Sequence, residues 1–259
     1  MFRALDVAAT GMAAQEAKLD TVANNLANSN TTGYKRQDVE FEDLLYQNVR
    51  APVPGPNGVA PVGTQIGSGV RIVATARSFG QGTILQTDNP LDLAIEGNGM
   101  FQVLRPNGEL GYTRAGALKV DATGKLVTSD GLPIEPSITV PADATSITVA
   151  ADGAVTVLQP GNNTPNEIGR LELATFPNPS GLSALGHNLF ATSAASGDPI
   201  VGVPGRDGRG TIQAKALEGS NVDVVTEMIG MIRTQRAYEI NSKVIAAADE
   251  MLRNATQLR

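Results

Sequence analysis

The chain has 259 residues, enough for one large domain or two or three small ones. Its 28 Gly and 15 Pro argue for a turn-rich middle, and with aromatics at 4% and no Trp the core must be built from Ala, Val, Ile and Leu. A net charge of −6 argues against nucleic acid as a partner, and the absence of Cys beside a single His excludes zinc fingers, thiol nucleophiles and disulfide staples.

No run of about 18 apolar residues occurs, so no membrane span is predicted. Asp6, Glu16 and Lys18 interrupt the apolar stretch that a cleaved secretory signal needs, and none is expected. From Leu5 to Asn28 the sequence predicts a helix about 36 Å long. Leu5, Met12, Leu19 and Leu26 recur at seven-residue spacing, with Ala8 and Val22 three positions further on in their repeats and Gln15 as the polar exception. The stripe is narrow, of the seam type. It runs out in "NNLANSNTTGYKR", rich in Asn, a mediocre helix former.

Residues 51–69, "APVPGPNGVAPVGTQIGSG", carry Pro52, Pro54, Pro56 and Pro61 and read as an extended or flexible connector. The middle of the chain reads as β. "LDLAIEGNGMFQVL" alternates at Leu91, Leu93 and Ile95 and then turns at Gly97-Asn98-Gly99. "GALKVDATGKLVTSDGLPI" predicts two short strands joined at Asp121–Gly124, and "SITVAADGAVTVL" a hairpin turning at Asp152-Gly153. "EIGRLELATF" reads as one further strand. Together these predict a small antiparallel β domain over about residues 95 to 204.

The far end returns to helix. Ser220 with Asp223 three residues on fits a capping box. Apolar positions run Val222, Val225, Ile229, Ile232 and resume, one position out of phase, at Ala237, Ile240, Val244, Ala247, Met251 and Leu258. The fold class is therefore α+β: long N- and C-terminal helices forming a coiled-coil-like pair, an extended Pro/Gly-rich connector and a small antiparallel β domain. An ordinary two-helix packing inside one globule fits the periodicity as well.

No constellation of catalytic residues emerges. "GNGMFQ" has Gln102 where a dinucleotide fingerprint needs its third Gly, and Gly124-Lys125 has Lys119 where a P-loop needs Gly. His187 has no Cys or second His with which to share a metal. No catalytic, metal-binding or cofactor-binding residue is predicted, and no cofactor.

"ANNLANSNTTGYKRQ" closely resembles the N-terminal signature of the bacterial flagellar rod and hook axial proteins, through Asn24, Asn25, Leu26, Asn28, Gly33, Tyr34 and Lys35. "SNVDVVTEMIGMIRTQRAYEINSKVIAAADEML" is similar to that family's C-terminal signature. "LDLAIEGNGMFQV" and "YTRAGALKVDATGKLVTSDG" resemble its central domain, and the stretch around 51–69 resembles an insertion found in its rod members.

The resemblance implies a structural protein that polymerises helically into a hollow tube. In that picture 1–36 with 219–259 forms the inner, helical part. Residues 37–94 with 205–218 form an extended connector that includes the rod-specific insertion, and 95–204 faces outward. Leu5, Met12, Leu19, Val22, Leu26, Val225, Ile229, Ile232, Ile240, Val244, Ala247, Met251 and Leu258 are then expected at subunit contacts. The implied partners are further copies of the chain, proximal rod and hook subunits, and the peptidoglycan- and outer-membrane-ring proteins. The implied location is the periplasm-spanning rod, reached by flagellar type III export without a cleaved signal.

If the first helix packs on helices of other subunits, the amides of Asn24, Asn25 and Asn28 serve the last carbonyls of the helix and neighbouring chains. Gly33 takes a positive φ where the chain turns outward, and Lys35 and Arg36 sit at the negative end of the helix. Two other readings stay open. One is a proximal rod or hook subunit. The other, of a different class, is a trimeric coiled-coil adhesin or phage-tail fibre, which predicts a closed small oligomer rather than an open polymer.

Overall fold

The computed structural model describes residues 2–50, 63–161 and 164–257. The chain divides into two compact units, one formed from Met1–Ala27, Gln37–Arg77 and Asp223–Arg259, the other from Asn28–Arg36 and Ser78–Val222.

The first unit pairs the two ends of the chain. Helix α1 (Phe2–Ala27) is Ala-rich, and its 26 residues span about 39 Å. Strands β1 (Gln37–Asp43), β2 (Gln47–Arg50), β3 (Thr64–Ile66) and β4 (Val70–Arg77) follow. β1 pairs antiparallel with β4 from Gln37↔Arg77 to Asp43↔Val70, with a register shift between Glu40 and Phe41, and β2 pairs with β3. Of the 51–69 stretch, only its last part falls on described residues, so Pro52, Pro54, Pro56 and Pro61 lie outside them.

Helix α2 (Val224–Gln257) closes this unit. It starts later than the sequence suggested. Ser220 Oγ accepts only the Val222 N–H at 3.3 Å, whereas Asp223 accepts Val225 N–H at 3.0 Å and the Thr226 hydroxyl at 2.7 Å. Asp223 is thus the N-cap, and those bonds, the Thr226 hydroxyl first, hold its carboxyl below the usual range.

Three contacts set the direction of the helix pair. Gly11 lies against Asn241, Val22 against Gly230, and Asn25 against Glu227. Numbers rise along α1 as they fall along α2, so the helices run antiparallel. The buried line between them is small or polar: Ala8, Ala14, Val22 and Asn25 from α1, and Glu227, Thr234 and Ala248 from α2.

The second unit is β-rich. Its strands are β5 (Ile84–Gln86), β6 (Leu93–Glu96), β7 (Met100–Leu104), β8 (Leu110–Thr113), β9 (Lys119–Val120), β10 (Leu126–Val127), β11 (Ile134–Glu135), β12 (Ser146–Val149), β13 (Ala154–Leu158), β14 (Asn166–Arg170), β15 (Leu173–Thr175), β16 (Ser183–Gly186), β17 (Leu189–Ala191), β18 (Ile200–Gly202), β19 (Thr211–Ala214) and β20 (Ala216–Glu218). The main sheet runs β16-β17-β8-β7-β15-β18, with β11 also on β7. β12, β13 and β14 form a second sheet, and β6 with β19 and β5 with β20 form two-stranded ladders.

The predicted hairpins at Asp121–Gly124 and Asp152-Gly153 are present as β9/β10 and β12/β13. "EIGRLELATF" is two strands rather than one: β14 joins the three-stranded sheet and β15 the main one. The expected alternation at Leu93 and Ile95 is absent, because Leu93, Ala94 and Ile95 are all buried. Leu93 and Ile95 pack in a mainly aliphatic core with Phe101, Val103, Leu171 and Leu173. Four of the few aromatics gather apart from it: Phe79 meets Phe190 edge to face at 5.3 Å, and Tyr112 meets Phe176 at 4.8 Å.

Candidate assembly surface and its anchorage

Most of the large apolar residues of α2 do not face α1, although Met231, Ile245 and Leu252 are half-buried. Val225 (64% exposed), Ile229, Ile232, Ile240 (61%), Val244 and Met251 all lie open, and Ala247 is exposed beside them. Two apolar periodicities share this helix. The one that packs inward uses Gly230, Thr234 and Ala248 with the half-buried Ile245 and Leu252, while the one that dominates the sequence is largely exposed. On α1 the seven-residue line of Leu5, Met12, Leu19 and Leu26 is half-buried, flanking the buried line of Ala8, Ala14 and Val22. Leu258 lies outside the residues whose structure is described.

A second exposed apolar region lies on the strands of the same unit and on the connection between β1 and β2. Leu45 is 92% exposed, and Tyr46, Val49, Ile66 and Val73 are also open. A two-stranded ribbon is marginal alone in water, so these side chains have much to gain from cover.

The Asn-rich segment is anchored within the chain. Asn25 is buried, its Nδ2 donating to Gln37 O at 2.7 Å and its Oδ1 accepting Gln37 N–H at 3.0 Å. Nδ2 also lies 3.4 Å from Glu227 Oε2. Asn25 therefore clamps the start of β1 to α1, and its amide is spent inside the chain rather than on a neighbour. Asn24 is exposed and Leu26 half-buried, while Asn28 Oδ1 accepts the Thr31 hydroxyl at 3.1 Å.

Within the second unit, Gly33 has φ 71°, the positive value expected. A Cβ there would stand 2.6 Å from Ala115 N, so space as well as conformation demands Gly. Tyr34 is buried next to it.

Lys35 is fully buried, with Nζ donating to Glu218 Oε1 at 2.7 Å and Gly80 O at 2.8 Å. Glu218 Oε1 also accepts Gly82 N–H at 2.9 Å. Its Oε2 lies 3.1 Å from Arg114 Nε, an ionic contact whose alignment falls short of a hydrogen bond. Arg114 Nη1 donates to Gly97 O and Gly99 O at 2.9 and 2.8 Å.

Two cations and one carboxylate thus share a dry site. Burial, and then the Arg114 charge, push the Lys35 ammonium below its usual range against the pull of Glu218. Burial likewise pushes the Arg114 guanidinium down. Asn221 completes the anchorage: its Oδ1 accepts Arg36 N–H at 2.6 Å, and its Nδ2 donates to Ser78 O and Gly80 O. Glu218, Arg114 and Asn221 escaped the sequence reading because their partners stand far away in the chain and no local motif links them.

Among the described residues no group of three His, Cys, Asp or Glu is placed to hold a metal, and no helix is long and apolar enough to cross a membrane.

Both ends of one chain joined in a helical unit, with a β-rich middle, define an α+β protein. Comparison with known proteins gives the family. The description "Flagella basal body rod protein" matches residues 5–35, "Flagellar hook protein FlgE/F/G D1 domain" matches 94–157, and "Flagellar basal body rod FlgEFG protein C-terminal" matches 213–258. The chain is 45% identical to the flagellar basal-body rod protein FlgG of Caulobacter vibrioides over 260 residues, covering 99% of both chains. It is 47% identical to the FlgG of Borreliella burgdorferi over 263 residues, 100% of this chain and 99% of that one. It is 35% identical to the FlgG of Bacillus subtilis over 270 residues and the full length of both. The chain belongs to the flagellar basal-body rod protein family, whose members are structural subunits and not enzymes.

Proposed function

We propose that the chain is the subunit of the distal rod, polymerising helically into a hollow tube that serves as drive shaft across the periplasm and as export channel. One observation carries the assembly reading: α2 leaves Val225, Ile229, Ile232, Ile240, Val244 and Met251 open. Fully burying such side chains is worth roughly 1.5–3 kcal/mol each, so covering a half-exposed row gains about 1 kcal/mol per residue. Repetition along a polymer multiplies that gain. The half-buried Leu5, Met12, Leu19 and Leu26 supply the matching row, so that helices of adjacent subunits meet in coiled-coil fashion.

In this reading 1–36 with 219–259 lines the tube, 37–94 with 205–218 connects, and 95–204 faces outward. The insertion carrying Pro52, Pro54, Pro56 and Pro61 acts as a stiff spacer between subunits, since Pro fixes φ and donates no hydrogen bond. Partners are the proximal rod and hook subunits at the two ends and the ring proteins around the shaft. Export by the flagellar type III route suits a subunit that must cross the inner membrane. The closeness to FlgG proteins over the full length supports the rod over the hook.

The test is assembly of Ile240→Asp beside the wild type, followed by sedimentation and electron microscopy. Because Ile240 is open in the single chain, the variant should stay folded and soluble and form no tubes. Normal tubes from Ile240→Asp would remove α2 from the subunit contact.

A further inference from the structure

The buried charges of the second unit do more than hold it together. They come from three distant parts of the chain: Lys35 from the segment that follows α1, Glu218 from the end of β20, and Arg114 from just beyond β8. We propose that this cluster is a latch that lets the N-terminal segment 28–36 seat only when β20 supplies its carboxylate.

The argument is one of charge count. Without Glu218, the place that Lys35 occupies is a dry site already facing Arg114, a like charge. Two buried cations with no counterion are strongly unfavourable. With Glu218 in place, Lys35 gains a charge-assisted bond of 2.7 Å, and the backbone follows: Gly33 N–H donates to Glu218 O at 2.8 Å. The dependence does not run equally in reverse. Without Lys35, Glu218 and Arg114 still form a neutral pair, and Glu218 Oε1 keeps the Gly82 N–H. β20 is further held by its ladder to β5. Seating is therefore conditional: β20 licenses a segment 183 residues earlier in the chain.

Hydrogen exchange on the full chain tests this with three variants. In Glu218→Gln the backbone carbonyl that receives Gly33 N–H is retained, so any loosening reports the charge. The amides of Gly33 to Arg36 should exchange at least about tenfold faster, while Val103 and Tyr112 in the β core stay protected. In Lys35→Met the Gly219 amide, which donates to Thr83 O at 2.8 Å, should exchange as in the wild type. The double variant, with one buried cation instead of two, should protect Gly33 to Arg36 better than Glu218→Gln alone.

Unchanged exchange at Gly33 to Arg36 in Glu218→Gln would overturn the latch. So would a Lys35→Met variant that frees Gly219 as much as Glu218→Gln does. If Glu218→Gln unfolds the whole unit, the double variant decides: recovered core protection supports the latch, and continued unfolding refutes it.

Discussion

Gly11 of α1 and Asn241 of α2 face each other so closely that a Cβ on Gly11 would stand 2.9 Å from Asn241 Nδ2. The obstacle is the end of a flexible side chain, so a small addition can be accommodated and a large one cannot. Gly11→Ala should be near neutral, since the gain in helix propensity of about 1 kcal/mol offsets the crowding. Gly11→Leu should force the helices apart and lower the thermal stability of the helical unit. Circular dichroism melts of the two variants check this; equal melting would show that the helices do not touch here.

Ala248 and Ile240 lie about 80° apart around the same helix, the first 1% exposed and the second 61%. Ala248→Asp should bury a charge against α1 and cost several kcal/mol of helix-pair stability. Ile240→Asp should leave the single chain as stable as the wild type. The two melts, measured on unassembled protein, separate the inward face from the outward one. A destabilised Ile240→Asp monomer would mean that the large apolar row packs within its own chain.

Gly33→Ala combines a positive φ with a clash against backbone, and neither can relax cheaply. We expect a loss of roughly 2–4 kcal/mol in the second unit. A shift in urea midpoint at constant slope is the readout. A change below about 0.5 kcal/mol would show that the 28–36 segment is dispensable to the unit's stability.

The Lys35 ammonium is held below its ordinary value of 10.5 chiefly by burial. Between its folded value and 10.5 the unfolded chain binds more protons than the folded one, so stability rises with pH across that window. Lys35→Met lacks this contribution. The difference in stability between wild type and Lys35→Met should therefore move in favour of the wild type as pH climbs toward 10.5. A difference independent of pH would mean that Lys35 is buried without strain on its charge.

Much of this was legible in the sequence, because it depends on neighbours in the chain. The seven-residue line from Leu5 to Leu26 and the Pro-free run after Asp223 specify helices. Asp121–Gly124 and Asp152-Gly153 specify turns through the backbone preferences of a few residues. Gly33 was legible as a positive-φ position for the same reason.

The tertiary structure decided what periodicity leaves open, namely which of two faces turns inward. On α2 the hydrophobic pattern pointed to Ile240 and Val244, yet the inner face holds Gly230, Thr234 and Ala248 together with the half-buried Ile245 and Leu252, because the face that α1 covers is set by contact between the helices and not by the strongest apolar repeat. The charges of Lys35, Glu218 and Arg114 have no local reason to be dry. Only a fold that brings residues 35, 114 and 218 together allows it, and the low dielectric of that site gives each its partner.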